Sequence, residues 1–183
     1  MACKLQTLAG GDFACDVSMG GVKKIWIANY DDVTGITYAI ESGTTYVTAE
    51  TSAATVISAV TMASGGKFYP YSFKRNTANF NSTLNVSPEN GVNYISTEIA
   101  MQFSRMDTAK RLEIKALSLN DLCVIVEDMN GYKWFFGITS PVSASAGGAT
   151  TGTNMSDGNN YTITLLANEL QWAYPYVGDI PTE

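Results

Sequence analysis

Alternation of apolar and polar positions runs through most of this chain and predicts β-strands. The longest alternating stretch is residues 67–105, which the turn Pro88-Glu89-Asn90-Gly91 divides into two halves. In each half every second residue faces the same way, so one face of the predicted ribbon is apolar and the other carries small polar side chains. Both strands exceed the usual length of about five or six residues. We therefore expect a long β-hairpin here.

The polar face of this hairpin is a candidate functional surface. Exposed strand edges are normally protected by charged side chains, and this segment has few. The face is either solvated, as is ordinary for an antiparallel sheet, or the edges of the hairpin pair with other copies of the chain. The polar-face side chains that we single out are Asn81, Thr83, Asn85, Ser96, Glu98 and Gln102.

A second hairpin is predicted further along the chain. Two β-branched and aromatic runs, Leu122–Val126 and Tyr132–Ile138, flank an acidic turn that contains Asn130-Gly131. Asn and Gly accommodate the positive φ that tight hairpin turns require. The spacing of apolar residues between the two hairpins is helical: Asp107 is positioned to cap a helix over residues 108–119. The apolar stripe predicted for that helix is Ala109, Leu112, Ala116 and Leu119.

Three consecutive aromatic residues in the second hairpin indicate a need for cover on both faces of its sheet. Trp134, Phe135 and Phe136 must alternate between the two faces of a strand. At least one ring therefore has to be covered by the helix or by another chain. We expect Trp134 and Phe136, together with the upstream Phe73, to contact a neighbouring subunit.

The rest of the chain is divided among short strands, an arm and a loop. Residues 1–21 contain two Gly-Gly pairs and no sustained period, which predicts an extended arm. Residues 143–159 are rich in Gly, Ser, Ala and Thr and predict a flexible surface loop. With 183 residues and no internal repeat, we expect one mainly β domain, a β-sandwich with one flanking α-helix and a long β-hairpin. Further strands are expected at Val22–Asn29, Ile36–Glu41, Thr44–Thr48, Val56–Met62 and Tyr161–Leu166.

Composition excludes several classes of function. The net charge is −6, which argues against a basic face that captures phosphates. Histidine is absent, so Ser-His-Asp and Cys-His catalysis are excluded and zinc loses its usual nitrogen ligand. Cys3, Cys15 and Cys123 are widely spaced and are expected to be free, mostly buried thiols. No stretch resembles a signal peptide or a membrane span, so we expect synthesis in the cytoplasm and no membrane association.

Carboxylates and aromatic side chains offer the remaining candidate chemistry. Glu127-Asp128 and Asp31-Asp32 are neighbours in sequence, so their side chains point to opposite sides of a strand and form no catalytic pair. The acidic turns also lack the spacing of a calcium loop. We expect no catalytic residue, no metal site and no cofactor. An aromatic set that could stack on bases, but whose core packing or subunit contact fits the acidic charge better, is Tyr69, Tyr71, Phe73 and Phe80.

The order of the parts carries a resemblance to a known family. The parts are GGVKKIWIANYDDV near the N-terminus, the hairpin 67–105, the helix 107–119, LCVIVEDMNGYKWFFG, and the strand that follows Asp157. In this order they resemble the tail-tube and tube-like ring proteins of tailed bacteriophages, including head–tail connector and tail-hub proteins. The amino-acid sequence of these parts is similar to that of structural proteins of phages of gut Bacteroidales, including crAss-like phages.

The resemblance implies a structural virion protein of the phage tail, made in the host cytoplasm. Its subunits would form rings, commonly of six and in some cases larger, that build or cap a channel for DNA ejection. The polar faces of residues 79–87 and 96–104 would line that channel, with Glu98 as the charged member, and DNA would pass without specific binding. The arm 1–21 and the loop 143–159 would contact neighbours, which include other tail or connector proteins.

Two other functions are compatible with the sequence. The aromatic content and the Gly/Ser/Thr loops also suit a β-sandwich module of a phage tail that binds carbohydrate or a host surface. A carboxylate hydrolase that uses Glu98 and Glu127 is the third alternative.

Overall fold

The computed structural model describes residues 19–42, 45–48, 54–74 and 76–182 of the chain. Strands dominate these residues, and three antiparallel sheets and one α-helix form a mainly β fold, as predicted. The strands are β1 Val22–Asn29, β2 Val33–Ser42, β3 Thr45–Thr48, β4 Val56–Met62, β5 Tyr69–Ser72, β6 Ala78–Ser87, β7 Val92–Ser104, β8 Leu122–Asp128, β9 Lys133–Phe136, β10 Ser143–Thr150, β11 Asn160–Glu169 and β12 Tyr174–Pro175. The α-helix is α1 Thr108–Leu119, and short 3₁₀ turns occupy Tyr30–Asp32 and Pro88–Asn90.

The three sheets are stacked in layers. The central sheet has the order β12-β9-β8-β1-β5, the second has the order β10-β11-β7-β6, and the third has the order β3-β2-β4. One core lies between the central and four-stranded sheets, and a second core lies between the central and three-stranded sheets. The central strands therefore bury both faces, which explains why β8 begins with the uninterrupted apolar run Leu122–Val126.

Strand β1 shows how alternation assigns side chains to the two cores. Ile25 and Ile27 enter the core against the four-stranded sheet, whereas Trp26 and Ala28 enter the core against the three-stranded sheet. The bounds of β1 and β4 match the predicted strands. The strands predicted at Ile36–Glu41 and Thr44–Thr48 correspond to β2 and β3, which pair antiparallel.

The long hairpin is confirmed within narrower limits than residues 67–105. Strands β6 and β7 pair from Ala78 opposite Met101 to Ser87 opposite Val92. The prediction was wrong for the start of this range, since β5 pairs with β1 in the central sheet instead. Asn76 has a φ of 63°, and this left-handed residue redirects the chain between the two sheets.

The predicted loop 143–159 is wrong in its first half. Strand β10 occupies Ser143–Thr150 and pairs antiparallel with β11, which itself extends beyond the predicted strand to Asn160–Glu169. Ser, Ala and Gly have weak strand propensity, but pairing with β11 satisfies their backbone groups. Only residues 151–159 form the connection.

The helix has the predicted cap and a different buried side. The Asp107 carboxylate accepts a hydrogen bond of 2.8 Å from the Lys110 backbone N–H. Leu117 is buried and Ile114 is half-buried, whereas the predicted stripe of Ala109, Leu112, Ala116 and Leu119 is exposed. The stripe is displaced because the helix rests on the edge of the sandwich rather than across a sheet. No helix within the described ranges has the length and apolar content needed to cross a membrane.

Candidate functional site

The outer face of the four-stranded sheet collects the side chains that the sequence singled out. Register places Asn81 opposite Glu98 and Thr83 opposite Ser96. Asn85 and Gln102 share this face because they lie at even spacings from the same positions. We call this surface the open face, because the described residues place no layer of the chain over it while its opposite side is packed in the core.

The open face is mostly polar, carries mainly small side chains and is nearly uncharged. Register extends it across β11, where Thr164 lies opposite Ala100, and across β10, where Ala146 lies opposite Thr164. Among the described residues of this face, Glu98 is the one charged side chain. Its remaining members on β6, β7 and β11 include Asn79, Asn81, Thr83, Asn85, Tyr94, Ser96, Gln102, Thr162, Leu166 and Asn168.

The two edges of the four-stranded sheet are the long strands β6 and β10, and helix α1 packs beside β10. Strand β10 has eight residues and β6 has ten, and neither contains a charged residue or proline. The central sheet differs, since its edges are the four-residue β5 with Pro70 and the two-residue β12 with Pro175. Short strands and proline are ordinary ways to prevent edge-to-edge pairing. Of these two sheets, the four-stranded one therefore lacks short or proline-bearing edge strands, although β10 carries a β-bulge between Ala144 and Ala146.

The end of the β6–β7 hairpin projects past the core. Leu84 and Val86 are 48% and 56% exposed, and they lie on the core side of the ribbon. Val92 and Tyr94 are also exposed, and they lie on the open face. Apolar residues on both sides of an exposed ribbon are atypical of a solvated hairpin and indicate a contact surface.

The aromatic triplet finds its cover inside the chain. Phe135 packs in the core against the three-stranded sheet, and Phe136 is 1% exposed in the core against the four-stranded sheet. Phe136 is covered by the four-stranded sheet, where its ring packs against Phe80, so it reaches no surface that a neighbour could contact and that part of the prediction is wrong. Trp134 and Phe73 are half-buried on the same core as Phe136, and Trp134 donates a 3.3 Å hydrogen bond to Asp128. Their predicted role in subunit contact stays a prediction.

The acidic turns are occupied by structural interactions. Asp128 accepts hydrogen bonds from the backbone N–H groups of Asn130 and Tyr132 at 2.8 and 2.9 Å. Glu127 pairs with Lys23 at 2.5 Å. Within the described part of the chain, no three His, Cys, Asp or Glu side chains are grouped to hold a metal ion. The hydrolase alternative thus gains no cluster from the fold.

A buried carboxylate escaped the sequence analysis. Glu169 at the end of β11 accepts three backbone hydrogen bonds, from Gly137, Ile138 and Thr139, at 2.8 to 2.9 Å. It joins the four-stranded sheet to the segment that leaves β9 in the central sheet. A signal was present, because Glu169 falls on the same alternating positions as the apolar Leu165.

Cys123 is a structural thiol. Its side chain is fully buried and donates a 3.3 Å hydrogen bond to the Gly137 carbonyl. Burial, aided by the charge of Glu169, raises the pKa of the thiol to about 12. A thiol with so high a pKa is unreactive at neutral pH. The expectation of a free, buried thiol is confirmed for Cys123, while Cys3 and Cys15 lie outside the described residues.

The predicted base-stacking set is mostly part of the core. Tyr71, Phe73 and Phe80 pack against the core of the four-stranded sheet, and only Tyr69 is exposed. The Tyr71 hydroxyl donates to Glu113, so this ring anchors α1. Burial raises the pKa of Tyr71. These rings do not form an open stacking platform.

A groove separates the hairpin from the C-terminal segment. It encloses about 500 Å³ and is bordered by Leu84, Asn93, Thr55 and the stretch 170–175. Trp172 in that stretch is 57% exposed. The C-terminal segment is otherwise anchored, because Tyr176 is buried in the second core.

The predicted arm 1–21 lies outside the described residues except for its last three. Met19 donates its backbone N–H to the Asn130 side chain at 2.8 Å, and Gly21 accepts from the Met129 N–H at 3.1 Å.

No protein-family model, curated protein or solved structure matches the chain. The functional argument therefore rests on the open face, its two edges and the end of the hairpin.

Proposed function

We propose that this chain is a structural subunit of a bacteriophage tail, whose four-stranded sheets join edge to edge into a ring that surrounds a DNA channel. The observation that carries the proposal is the pair of long, uncharged, proline-free edges β6 and β10 on a sheet whose outer face is polar. Such edges offer unpaired backbone groups to another chain. A ring satisfies both edges of every copy and leaves no end.

Strand direction is compatible with ring closure. All neighbours in the sheet β10-β11-β7-β6 are antiparallel, so the two edge strands of this four-stranded sheet run in opposite directions. Copies related by rotation about one axis keep the same direction. The β6 edge of one copy therefore meets the β10 edge of the next copy antiparallel, which is the favourable arrangement for short connections and full backbone pairing.

The open face suits the inside of a channel. At about 4.8 Å per strand, a ring of about six copies has a circumference near 115 Å, and its backbone diameter is near 37 Å. That width leaves room for duplex DNA. Asn, Ser and Thr side chains offer no cluster of positive charge, and a ring of Glu98 carboxylates repels phosphates weakly, so DNA passes without being held.

Negative-stain electron microscopy of the purified protein, together with its mass in solution, tests the proposal. Rings or tubes are the expected result, and the number of copies per ring separates a six-fold tube from a larger connector ring. The same measurement is repeated with neighbouring tail or connector proteins present, because a template can be required for assembly. A monomer under both conditions would contradict the proposal.

The second candidate function is surface binding, favoured by the groove beside Trp172. An exposed indole near polar groups of Asn93, Thr55 and Gln171 can stack on a sugar ring. A glycan array probed with the wild-type protein and with Trp172→Ala tests this alternative. Binding that disappears in the variant supports it, and silence of the wild-type protein on the array eliminates it.

A further inference from the structure

Two exposed apolar patches with opposite charge lie on different elements of the chain. The helix patch consists of Leu112 and Leu119 on α1 with Arg111 and Lys115 beside them. The hairpin patch consists of the exposed residues at the end of β6–β7, namely Leu84, Val86, Glu89, Val92 and Tyr94.

The helix patch is an apolar line with a positive border. Leu112 and Leu119 are 55% and 74% exposed and are separated by seven residues, which places them about 10 Å apart in one line along α1. This line lies opposite the buried Leu117. Arg111 and Lys115 are four residues apart and adjoin it.

Within the described ranges, the positive charge of that border is not neutralised. Lys110 pairs with Asp107 at 2.8 Å, and Glu113 accepts from Tyr71. Among the described residues, Arg111 and Lys115 have no ion-pair partner. The helix therefore presents two exposed cations beside exposed leucines, which fits an acidic and apolar partner surface.

The hairpin patch has the complementary chemistry. Residues 78–104 contain Glu89 and Glu98 and no lysine or arginine. Glu89 lies in the exposed turn at the end of the ribbon. Because Leu84 and Tyr94 lie on opposite faces of the ribbon, both of its sides require cover. An apolar ribbon with an acidic tip matches the apolar, positively bordered helix.

The two patches cannot meet within one copy. Arg105, which lies between β7 and α1, donates its backbone N–H to the Asn159 carbonyl. After the helix, Leu122 pairs with Val142, which lies near the level of Glu98 along the sheet. Helix α1 packs against β10, at the level of the second half of β7 along the strands. The tip of the hairpin begins about 20 Å further along the strands, since six residues separate Glu98 from Val92.

We propose that the hairpin patch of one copy docks on the helix patch of a second copy in the adjacent ring. The inference rests on the proposed function in taking copies to form rings. Copies within one ring share the same height, so the hairpin tip of one lies beyond the helix of its neighbour. A copy displaced along the ring axis brings the two patches together. The contact joins different surfaces and does not close, so it adds rings without limit.

Charge reversal tests this contact in the full-length protein. Arg111→Glu with Lys115→Glu, or Glu89→Lys alone, is expected to leave single rings and abolish tubes, because the facing charges become alike. Combining all three substitutions in one chain restores the attraction, and tubes are expected to return. Leu112→Ser with Leu119→Ser is expected to abolish tubes through the apolar part of the contact. The readout is the number of stacked rings by electron microscopy.

Matched charge changes at other exposed positions serve as controls. Lys74→Glu with Arg105→Glu reproduces the change in net charge of the helix variant, and Glu41→Lys reproduces that of the hairpin variant. These controls are expected to form tubes like the wild-type protein, and circular dichroism verifies that every variant is folded.

The outcomes separate this inference from the proposed function. Wild-type rings that never stack, or tubes that persist in the charge-reversed variants, would overturn the stacking contact and leave the ring proposal intact. Linear chains of single copies that respond to the charge reversals would support the contact and contradict the ring. A wild-type protein that stays monomeric, with and without its tail neighbours, contradicts both.

Discussion

At the residue scale, the carboxylate of Glu169 joins two sheets directly through hydrogen bonds. It accepts three backbone N–H groups of residues 137–139 at the end of β9 while its own strand belongs to the four-stranded sheet. Gly137 has a φ of 97°, which only glycine adopts without strain, so this turn depends on a specific residue and on a specific acceptor.

Glu169→Gln is expected to lower the free energy of unfolding by about 2–3 kcal/mol, because an amide replaces one acceptor oxygen with a donor and leaves buried N–H groups unpaired. Urea denaturation followed by tryptophan fluorescence measures this change. Glu41→Gln, on an exposed strand position, is the matched control and is expected to change stability by less than about 0.5 kcal/mol. Equal effects of the two substitutions would show that Glu169 does not hold the turn.

Cys123 is expected to make stability depend on pH in the alkaline range. The folded state holds the thiol proton up to a pKa of about 12, whereas an unfolded cysteine has a pKa of about 8.5. The unfolded chain therefore binds fewer protons between these values, and stability falls as pH rises through that window. Its contribution is fully present below about pH 8.5.

The measurement uses a Cys3→Ser, Cys15→Ser background, so that Cys123 is the remaining thiol. Denaturation midpoints between pH 7 and pH 10.5 are compared with those of the same protein carrying Cys123→Ala, which removes the thiol contribution but keeps that of the buried Tyr176, whose pKa is also raised by burial. Identical slopes in the two proteins would contradict the assignment. The folded background protein is also expected to resist thiol reagents at pH 8.

Most residue roles that alternation specifies could be predicted. Alternation along β1 separates Ile25 and Ile27 from Trp26, and the two cores have this arrangement. Phe136 could not be placed, because its exposure depends on layers contributed by distant parts of the chain. The role of Glu169 was also missed, although a charge at an apolar position of β11 was a detectable signal.

At the element scale, the two edge strands of the four-stranded sheet form the seams of the proposed ring. Strand β6 was predicted from its alternation, whereas β10 was assigned to a loop because its residues are small and have weak strand propensity. The strand forms because β11 offers it a full set of backbone partners. The same small residues leave the outer edge of β10 accessible to another chain.

Ala146→Lys, on β10, is expected to prevent or weaken ring formation, because it places a positive charge at every seam between copies. Since position 146 is exposed in the single copy, the free energy of unfolding should change by less than about 0.5 kcal/mol. Sedimentation velocity measures the loss of rings. Ser72→Lys, on the exposed edge strand β5 of the central sheet, is the matched control and should assemble normally. Rings in both variants would eliminate the β10 edge as the seam.

Helix α1 illustrates the limit of periodicity. Its cap and its bounds follow from Asp107 and the residues after it, and both are as predicted. The wrong side was taken as the buried one, because two leucines at helical spacing are indistinguishable from a core stripe until the neighbours of the helix are known. The exposed leucines instead form the helix patch.

At the scale of the whole molecule, three stacked sheets bury the centre, and the outer face of the four-stranded sheet is open. The open face carries the single charge of Glu98 among its described residues. A channel built from this face would therefore have a weakly negative wall. Its behaviour toward DNA depends on the sign of that charge.

Assembled rings or tubes of the wild-type protein are expected not to bind DNA, and those of Glu98→Lys are expected to bind it. A ring of cations contacts several phosphates, and the affinity should fall with salt at a slope of about −0.9 per phosphate contacted. Fluorescence anisotropy with a labelled duplex measures this binding, and ejection kinetics in whole particles should slow. Glu41→Lys, at an exposed position of β2 in the three-stranded sheet, is the control with the same change in charge. Unchanged DNA binding and ejection in the Glu98 variant would show that this face does not line a channel.

The sequence alone determined the local structure of this protein, and the tertiary structure decided which surfaces remain available. Strand alternation, the Asn130-Gly131 turn and the Asp107 cap are local physical rules, and they were sufficient for a mainly β chain with one helix and one long hairpin. Layering is a non-local result, because a face is buried or open according to what distant strands place upon it. For this reason only the fold could assign Phe136 to the interior, Leu112 to the surface and β10 to an edge.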